Sequence, residues 1–283
     1  MENLFDAGYI QNLVRKIQSL VQANQKPIVF SVANQKGGVG KTTTVDNLAE
    51  LFASFGLKTA IIDIDPQSSI TTLKNDITEI IENHQPEMTD VMLQDTSLKS
   101  IITQLKPNLY IAPTTLKLSD AELNLVNATL RELILKRNIE ELNSEFDIII
   151  IDCPPSRGLL TVNALSASDF VIVPVQSEYQ ALVSINLLFS TINNVQKAIN
   201  PDLKVLGYVI TMATRTNHSD EIIKEVEIDN RANIIGIINR QIVISDAGVA
   251  NMSAYEFDRG LTASQQYFKL ACDVLEKALK EMN

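Results

Sequence analysis

The chain has 283 residues, 45% of them hydrophobic and 20% charged, enough for one large α/β domain or two small ones. Its formal net charge of −10 argues against a bulk electrostatic footprint on nucleic acid, so a DNA-binding patch would have to be local and assembled in three dimensions. No apolar run reaches the ~20 residues of a membrane span, Glu2 and Asp6 argue against a signal peptide, and the two cysteines, Cys153 and Cys272, make no disulfide framework, so a reduced, cytoplasmic setting is expected.

Residues 4–22 place Ile10, Leu13, Val14, Ile17, Leu20 and Val21 on one face of a helix. Residues 1–27 read as an N-terminal helical extension docked on the main domain, with a dimer or partner contact as the other use of such a face, and 28–283 as a single domain. Pro27 to Asn34 is apolar and partly β-branched, a buried strand. Lys41 to Phe55 carries Val45, Leu48, Ala49, Leu51 and Phe52 at helical spacing and stops at Gly56.

Between that strand and helix lies Lys36-Gly37-Gly38-Val39-Gly40-Lys41-Thr42-Thr43. Strand, glycine-rich G-x-G-K-T loop and helix together are the context of a phosphate-binding loop. Glycines let backbone N–H groups turn inward on an anion with no Cβ in the way, and the helix N-terminus adds partial positive charge. Lys41 is expected on the β- and γ-phosphates of ATP, the Thr42 hydroxyl on Mg²⁺ and Thr43 on the α-phosphate. A phosphate-binding loop needs one lysine. The second, Lys36, stands five positions earlier. It suggests a site that handles two lots of phosphate charge, or phosphate belonging to two subunits.

Further strands are expected at Lys58–Ile64, Asn108–Pro113, Phe146–Ile151, Phe170–Val175, Lys204–Met212 and Asn233–Ile238. Helical patterns fill 77–83, 89–105 with a break, 119–143, 158–166, 180–198, 219–227 and 263–281. Strands alternate with helices throughout, and the strands are almost continuously apolar. This predicts an α/β fold of the P-loop NTPase type, with a mostly parallel twisted sheet of about seven or eight strands and helices on both faces.

Two acidic motifs narrow the chemistry. Ile62-Asp63-Ile64-Asp65-Pro66-Gln67 closes the second strand, and alternation would put Asp63 and Asp65 on one side of it. At the carboxyl end of a parallel strand they would face the ligand crevice and suit Mg²⁺ positioning and orientation of an attacking water. A strand-end turn would account for one of them. Asp147-Ile148-Ile149-Ile150-Ile151-Asp152 ends in a Walker B-type carboxylate, with Asp152 expected to hold Mg²⁺ and Asp147 far off at a turn. Pro154-Pro155 would make a stiff, extended exit. Cys153 has no histidine near it in sequence and reads as buried and structural.

Taken in order and spacing, ANQKGGVGKTTT (33–44), IIDIDPQSS (61–69), FDIIIIDCPPS (146–156) and VIVPVQSEYQAL (171–182) resemble the ParA/MinD family of deviant-Walker-A ATPases. The likeness runs from about residue 28 to the C-terminus and is nearest to the short plasmid- and chromosome-partition ParA proteins. It implies ATP and Mg²⁺ at Gly37–Thr43 and an ATP-dependent homodimer in which Lys36 reaches the partner's phosphates. It gives Asp65 the attacking water and Asp63 and Asp152 the metal. It also implies non-specific binding to double-stranded DNA, slow hydrolysis stimulated by a ParB-type centromere-binding partner, and association with the nucleoid. The run 238–247 resembles the family's loop near the base pocket, so Met212 and Asn239 are expected beside adenine. Val243 stands where many short relatives place a basic DNA contact. Arg215, Lys224, Arg231 and Arg240 are the nearby cations, mixed with acidic neighbours.

Other classes make different demands. A MinD-like membrane ATPase needs a C-terminal amphipathic helix with a basic polar face. Residues 268–281 are amphipathic, but Lys269, Lys277 and Lys280 are offset by Asp273, Glu276 and Glu281. No membrane partner is expected. A metabolic P-loop ligase of dethiobiotin-synthetase type would need a small-acid pocket and no lysine crossing a dimer. The nitrogenase iron protein needs cluster-ligating cysteines that Cys153 and Cys272 do not match.

Overall fold

The computed structural model describes residues 7–74 and 85–282; the helix expected at 77–83 lies outside them. Eight strands form one sheet in the order β3-β4-β2-β5-β1-β6-β7-β8. The strands are β1 (Ile28–Val32), β2 (Thr59–Asp63), β3 (Thr103–Lys106), β4 (Leu109–Ala112), β5 (Ile148–Asp152), β6 (Phe170–Gln176), β7 (Lys204–Ala213) and β8 (Ile234–Asn239). All pairings are parallel except β3 with β4 at one edge. The expected α/β fold with a mostly parallel sheet is what the chain adopts.

Side-chain alternation divides the interior into two layers. Val29, Ile149, Ile151, Val171 and Val173 face one core. Ile28, Phe30, Val32, Ile148, Ile150 and Ile172 face the other, which is closed by α1 (Ala7–Asn24), α2 (Lys41–Ser54) and the C-terminal helix Thr262–Met282. In α1, Leu13, Val14, Ile17 and Val21 are buried in this second core, so the N-terminal helix is part of the domain's packing. The apolar face of the C-terminal helix, including Phe268, Ala271, Leu275 and Ala278, is buried there too. Among the described residues no helix is long and apolar enough to cross a membrane.

Three expected elements differ from those formed. The stretch 89–105 is not helical throughout, because Thr103–Lys106 pairs antiparallel with β4 across a turn in which Asn108 is left-handed (φ 63°). Pro107 and Asn108 are residue types that favour such a turn, although the strand expected from sequence begins at Asn108. The stretch 119–143 breaks between the helices Leu118–Leu125 and Ile134–Glu140, where Leu130 is left-handed (φ 53°). Buried Asn163 bridges the break, donating to Arg131 O (2.7 Å) and accepting from Leu135 N–H (3.1 Å). The run after Arg240 is not a bare loop: Ile242–Val249 is helical, although β-branched residues give little helix signal.

The central strands β2, β5 and β1 end level with one another: Val32 pairs with Asp152, and Asp152 with Asp63. The strand order reverses around β1: the chain runs from β1 through α2 to β2 on the β3 side of it, whereas β6, β7 and β8 follow on its other side. A crevice at the carboxyl ends of strands beside such a reversal is where open α/β sheets bind ligands.

Candidate functional site: the phosphate loop and its carboxylates

The loop after β1 is fixed at both ends and open in the middle. Asn34 donates through Nδ2 to Pro174 O (2.7 Å) and accepts from Lys36 N–H (3.0 Å), anchoring the entry to β6. Thr211 of β7 donates its hydroxyl to Val39 O (2.8 Å). Gly38 (φ 75°) and Gly40 (φ 83°) hold the left-handed backbone that turns amides inward. Nothing lies within 4 Å of where a Cβ on Gly37 or Gly38 would sit, so the rim is open to an incoming group. Helix α2 starts at Lys41, and the first N–H groups of a helix lack intrahelical partners and carry its partial positive charge toward the preceding loop.

Lys41 is only 6% exposed, and its ammonium donates to Lys36 O across the loop at 3.4 Å. Burial lowers its pKa, while the charges of Asp152 and Asp65 work the other way. Thr42 donates its hydroxyl to Asp152 Oδ2 at 2.7 Å. The other oxygen, Asp152 Oδ1, is buried with no hydrogen-bond partner. Burial, then the nearby Asp63 charge, pushes the Asp152 carboxyl well above the usual range. A buried carboxyl oxygen without a hydrogen-bond partner, next to a hydroxyl and an open anion cradle, fits a bound cation, which would favour its ionised form. Among the described residues no three His, Cys, Asp or Glu side chains converge on a metal position. Mg²⁺ typically takes one or two carboxylates together with phosphate oxygens and waters. Cys153, next along, is buried, its thiol pushed up by burial, and remains a free cysteine, as does Cys272.

Asp63 and Asp65 do not share a strand face, because β2 ends at Asp63. Asp63 is fully buried and accepts three hydrogen bonds: from Asp65 N–H (3.1 Å), Thr71 N–H (3.1 Å) and the Thr71 hydroxyl (2.6 Å). Burial outweighs these donors and lifts its pKa to about 7. In this conformation Asp63 holds the loop that carries Asp65. Asp65 is 7% exposed, accepts from Gln67 N–H (3.0 Å), and has its acidity weakened by burial, with Lys41 opposing that.

Lys36 departs from its neighbour. Its ammonium pairs with Glu178 Oε2 at 2.7 Å, on the surface beyond β6, rather than lying in the loop. Glu178 also accepts from Gln176 Nε2 (2.6 Å), and the Lys36 contact lowers its pKa. Gln35 joins the same rim, accepting from Arg157 Nε (2.7 Å). Arg157 and Glu178 were not singled out from sequence, although Arg157 directly follows the motif 146–156 and Glu178 lies within the motif 171–182. Thr43 lies in the first turn of α2, half-buried, with its carbonyl accepting from Asn47. At the far end, Asn239 lines a cavity of 360 Å³ with Ala213, Thr214, Arg215 and Arg240. Met212 precedes it at the end of β7 with left-handed backbone (φ 52°). The two roomier clefts, one beside α1 and one along β8, contain none of the phosphate-loop residues.

The AAA_31 family, described as an AAA domain, matches residues 27–205. The Soj sporulation initiation inhibitor protein of Bacillus subtilis is 38% identical over 253 residues, 87% of this chain and 97% of its own. The chromosome partitioning protein ParA of Myxococcus xanthus is 35% identical over 88% of each chain. Among solved structures, cobyrinic acid a,c-diamide synthase from Mycobacterium smegmatis with bound ADP and magnesium is 34% identical, covering 80% of this chain and 91% of that one at a TM-score of 0.69. A plasmid partition protein from Borrelia burgdorferi bound to AMPPNP is 25% identical, covering 90% and 99% at 0.73. With the phosphate loop, the paired lysines and the acidic strand ends in place, the chain belongs to the ParA/Soj family of P-loop ATPases.

Proposed function

We propose that this protein is a DNA-segregation ATPase that binds ATP and Mg²⁺ in the loop Gly37–Thr43, dimerises around nucleotide, and couples hydrolysis to non-specific DNA binding at the nucleoid. The observation that carries this reading is the division between the two lysines. Lys41 is buried in its own loop, whereas Lys36 holds its charge out on the rim at Glu178. A lysine displayed there is available to phosphates of a second, facing protomer.

The roles follow from position. Amides of the loop and first turn of α2, with Lys41, take the phosphate charge. Thr42 and Asp152 Oδ1 would hold Mg²⁺, which would supply neutralisation of the negative charge on the phosphates. Asp65 orients the attacking water, with Asp63 behind it, and Met212 and Asn239 border the base. A ParB-type centromere-binding partner is the expected stimulator of hydrolysis. The relatives named as partition proteins support this reading, as does the fit of the orphaned Asp152 oxygen to a cation.

The diamide synthase supports a second reading, a metabolic ligase on the same frame. A membrane-positioning ATPase is disfavoured, because the apolar face of Thr262–Met282 is committed to the core. The deciding experiment is a gel shift on unrelated duplex DNA with ATP, with ADP and without nucleotide, alongside Lys36→Ala and Asp65→Ala. Retardation confined to ATP, lost in Lys36→Ala and prolonged in Asp65→Ala, is expected. Equal binding in every nucleotide state, or an ATPase indifferent to DNA and partner protein, would favour the ligase.

A further inference from the structure

Asp65 sits two positions beyond the end of β2, so the sheet ladder does not hold it. What holds it is a chain of buried hydrogen bonds. The Asp65 N–H rests on Asp63 Oδ1, and Asp63 Oδ2 rests on the N–H and hydroxyl of Thr71. The same Thr71 hydroxyl accepts from Thr114 N–H at 3.1 Å, just past the end of β4. Asp63, Thr71 and Thr114 are 0%, 1% and 0% exposed. One hydroxyl thus gives its proton to a carboxylate and takes a backbone proton in return, in a place closed to water. Beyond it, the Thr114 hydroxyl approaches Glu87 Oε2 (3.4 Å), and Glu87 caps the helix Met88–Met92. The short helix Ser69–Leu73 that carries Thr71 is tied from its other end by a buried ion pair between Lys74 and Asp46 of α2, the helix that grows out of the phosphate loop.

We propose that Thr71 is a positioning residue for ATP hydrolysis: its hydroxyl sets where the Asp65 loop stands relative to the phosphate loop. The proposal rests on the ATPase reading of the site. Among the hydrogen bonds described, the Thr71 hydroxyl donates only to Asp63 and accepts only from Thr114, so its influence on the nucleotide runs through Asp63 to Asp65. Valine at 71 keeps the shape but leaves Thr114 N–H unpaired and takes one of three donors from a buried carboxylate. Catalytic geometry is sensitive to this, since a displacement of ~1 Å at a reacting group can cost ~100-fold in rate.

The test is single-turnover and steady-state hydrolysis by full-length wild type, Thr71→Val, Thr71→Ser and Asp65→Ala, with MgATP binding measured in parallel. Expected is a fall in kcat of about tenfold or more in Thr71→Val with KM within about twofold, and recovery to within about threefold of wild type in Thr71→Ser, which keeps the hydroxyl. A wild-type kcat in Thr71→Val overturns the proposal. So do equal losses in the valine and serine variants, which would mean that packing of the methyl matters and the hydroxyl does not. If Thr71→Val does not fold, Thr71→Ala against Thr71→Ser decides the same question, and equal rates in those two overturn it. Wild-type-like Thr71→Val in a chain whose Asp65→Ala variant is inactive would sink this proposal alone. A wild type that hydrolyses no ATP would sink the ATPase reading itself.

Discussion

The Thr42 hydroxyl donates to Asp152 Oδ2 across 2.7 Å, joining the first turn of α2 to the carboxyl end of β5. That contact uses one carboxylate oxygen and leaves Asp152 Oδ1 buried without a partner. An unpaired buried acceptor costs about 1–3 kcal/mol, more if charged, and a cation bound there would offset it.

Asp152→Asn should therefore remove the dependence of nucleotide binding on Mg²⁺ more than binding itself. Calorimetric titration of ATP with and without Mg²⁺ is the measurement. Wild type should bind at least about tenfold more tightly with the metal, in line with the effect of removing groups that support a metal site, and Asp152→Asn should bind alike in both conditions. An undiminished Mg²⁺ effect in the variant would remove Asp152 from the metal site.

The same burial gives a pH dependence with a definite sign. Asp63 titrates at about 7, and Asp152 and Asp65 are also raised by burial. Carboxyls ordinarily titrate near ~4, so between ~4 and ~7 the folded chain binds more protons than the unfolded one, and these groups lose stabilising effect as pH rises through that window. Urea unfolding of the protein without nucleotide should show a contribution that falls from pH 5 to pH 8 and is smaller in Asp152→Asn. MgATP, which favours the ionised carboxylate, should reduce the fall. Parallel pH profiles for wild type and variant would contradict the assignment.

The legible parts of the molecule were those where one residue type answers one physical demand. Gly38 and Gly40 show in sequence because the turn needs left-handed backbone, and the apolar runs of β1, β5 and β6 because a parallel sheet is covered on both faces. Asp63 was harder. Its spacing from Asp65 suggests a shared strand face, but the strand stops, and a carboxylate expected to face a metal instead accepts three protein hydrogen bonds. Sequence does not show which donors come to a side chain from 8 or more positions away. Thr71 and Glu178 were passed over for the same reason: each draws its meaning from a contact made only in the folded chain, to Thr114 and to Lys36.

The ion pair between Lys74 and Asp46 is buried on both sides, at 5% and 3% side-chain exposure. Removing one member strands the other charge, so Lys74→Met should cost about 3–5 kcal/mol in urea unfolding. Asp46→Leu combined with Lys74→Met should recover much of that loss, because paired apolar replacements remove the desolvation penalty together. Additive losses in the double variant would show that the pair is not coupled.

The cations nearest the expected DNA-contact region differ in how free they are. Arg231 is committed: it pairs with Asp229, donates to Asn186 Oδ1 (2.8 Å) and lies 4.5 Å from the centre of the Phe189 ring. Arg215 and Arg240 are exposed and share the rim of the cavity beyond β7 and β8. In the DNA-segregation reading, Arg215→Ala and Arg240→Ala should each weaken ATP-dependent DNA binding on all sequences alike and lower the slope of log affinity against log salt by about one. Arg231→Ala should leave that slope unchanged and instead lower stability by about 1 kcal/mol, through loss of its stacking and partly buried pairing. The net charge of −10 sharpens the expectation, because a chain that repels DNA overall must gain its affinity from few contacts, each of which should then be visible in the salt slope. A full wild-type slope in both the Arg215 and Arg240 variants would move the DNA-binding surface elsewhere on the molecule.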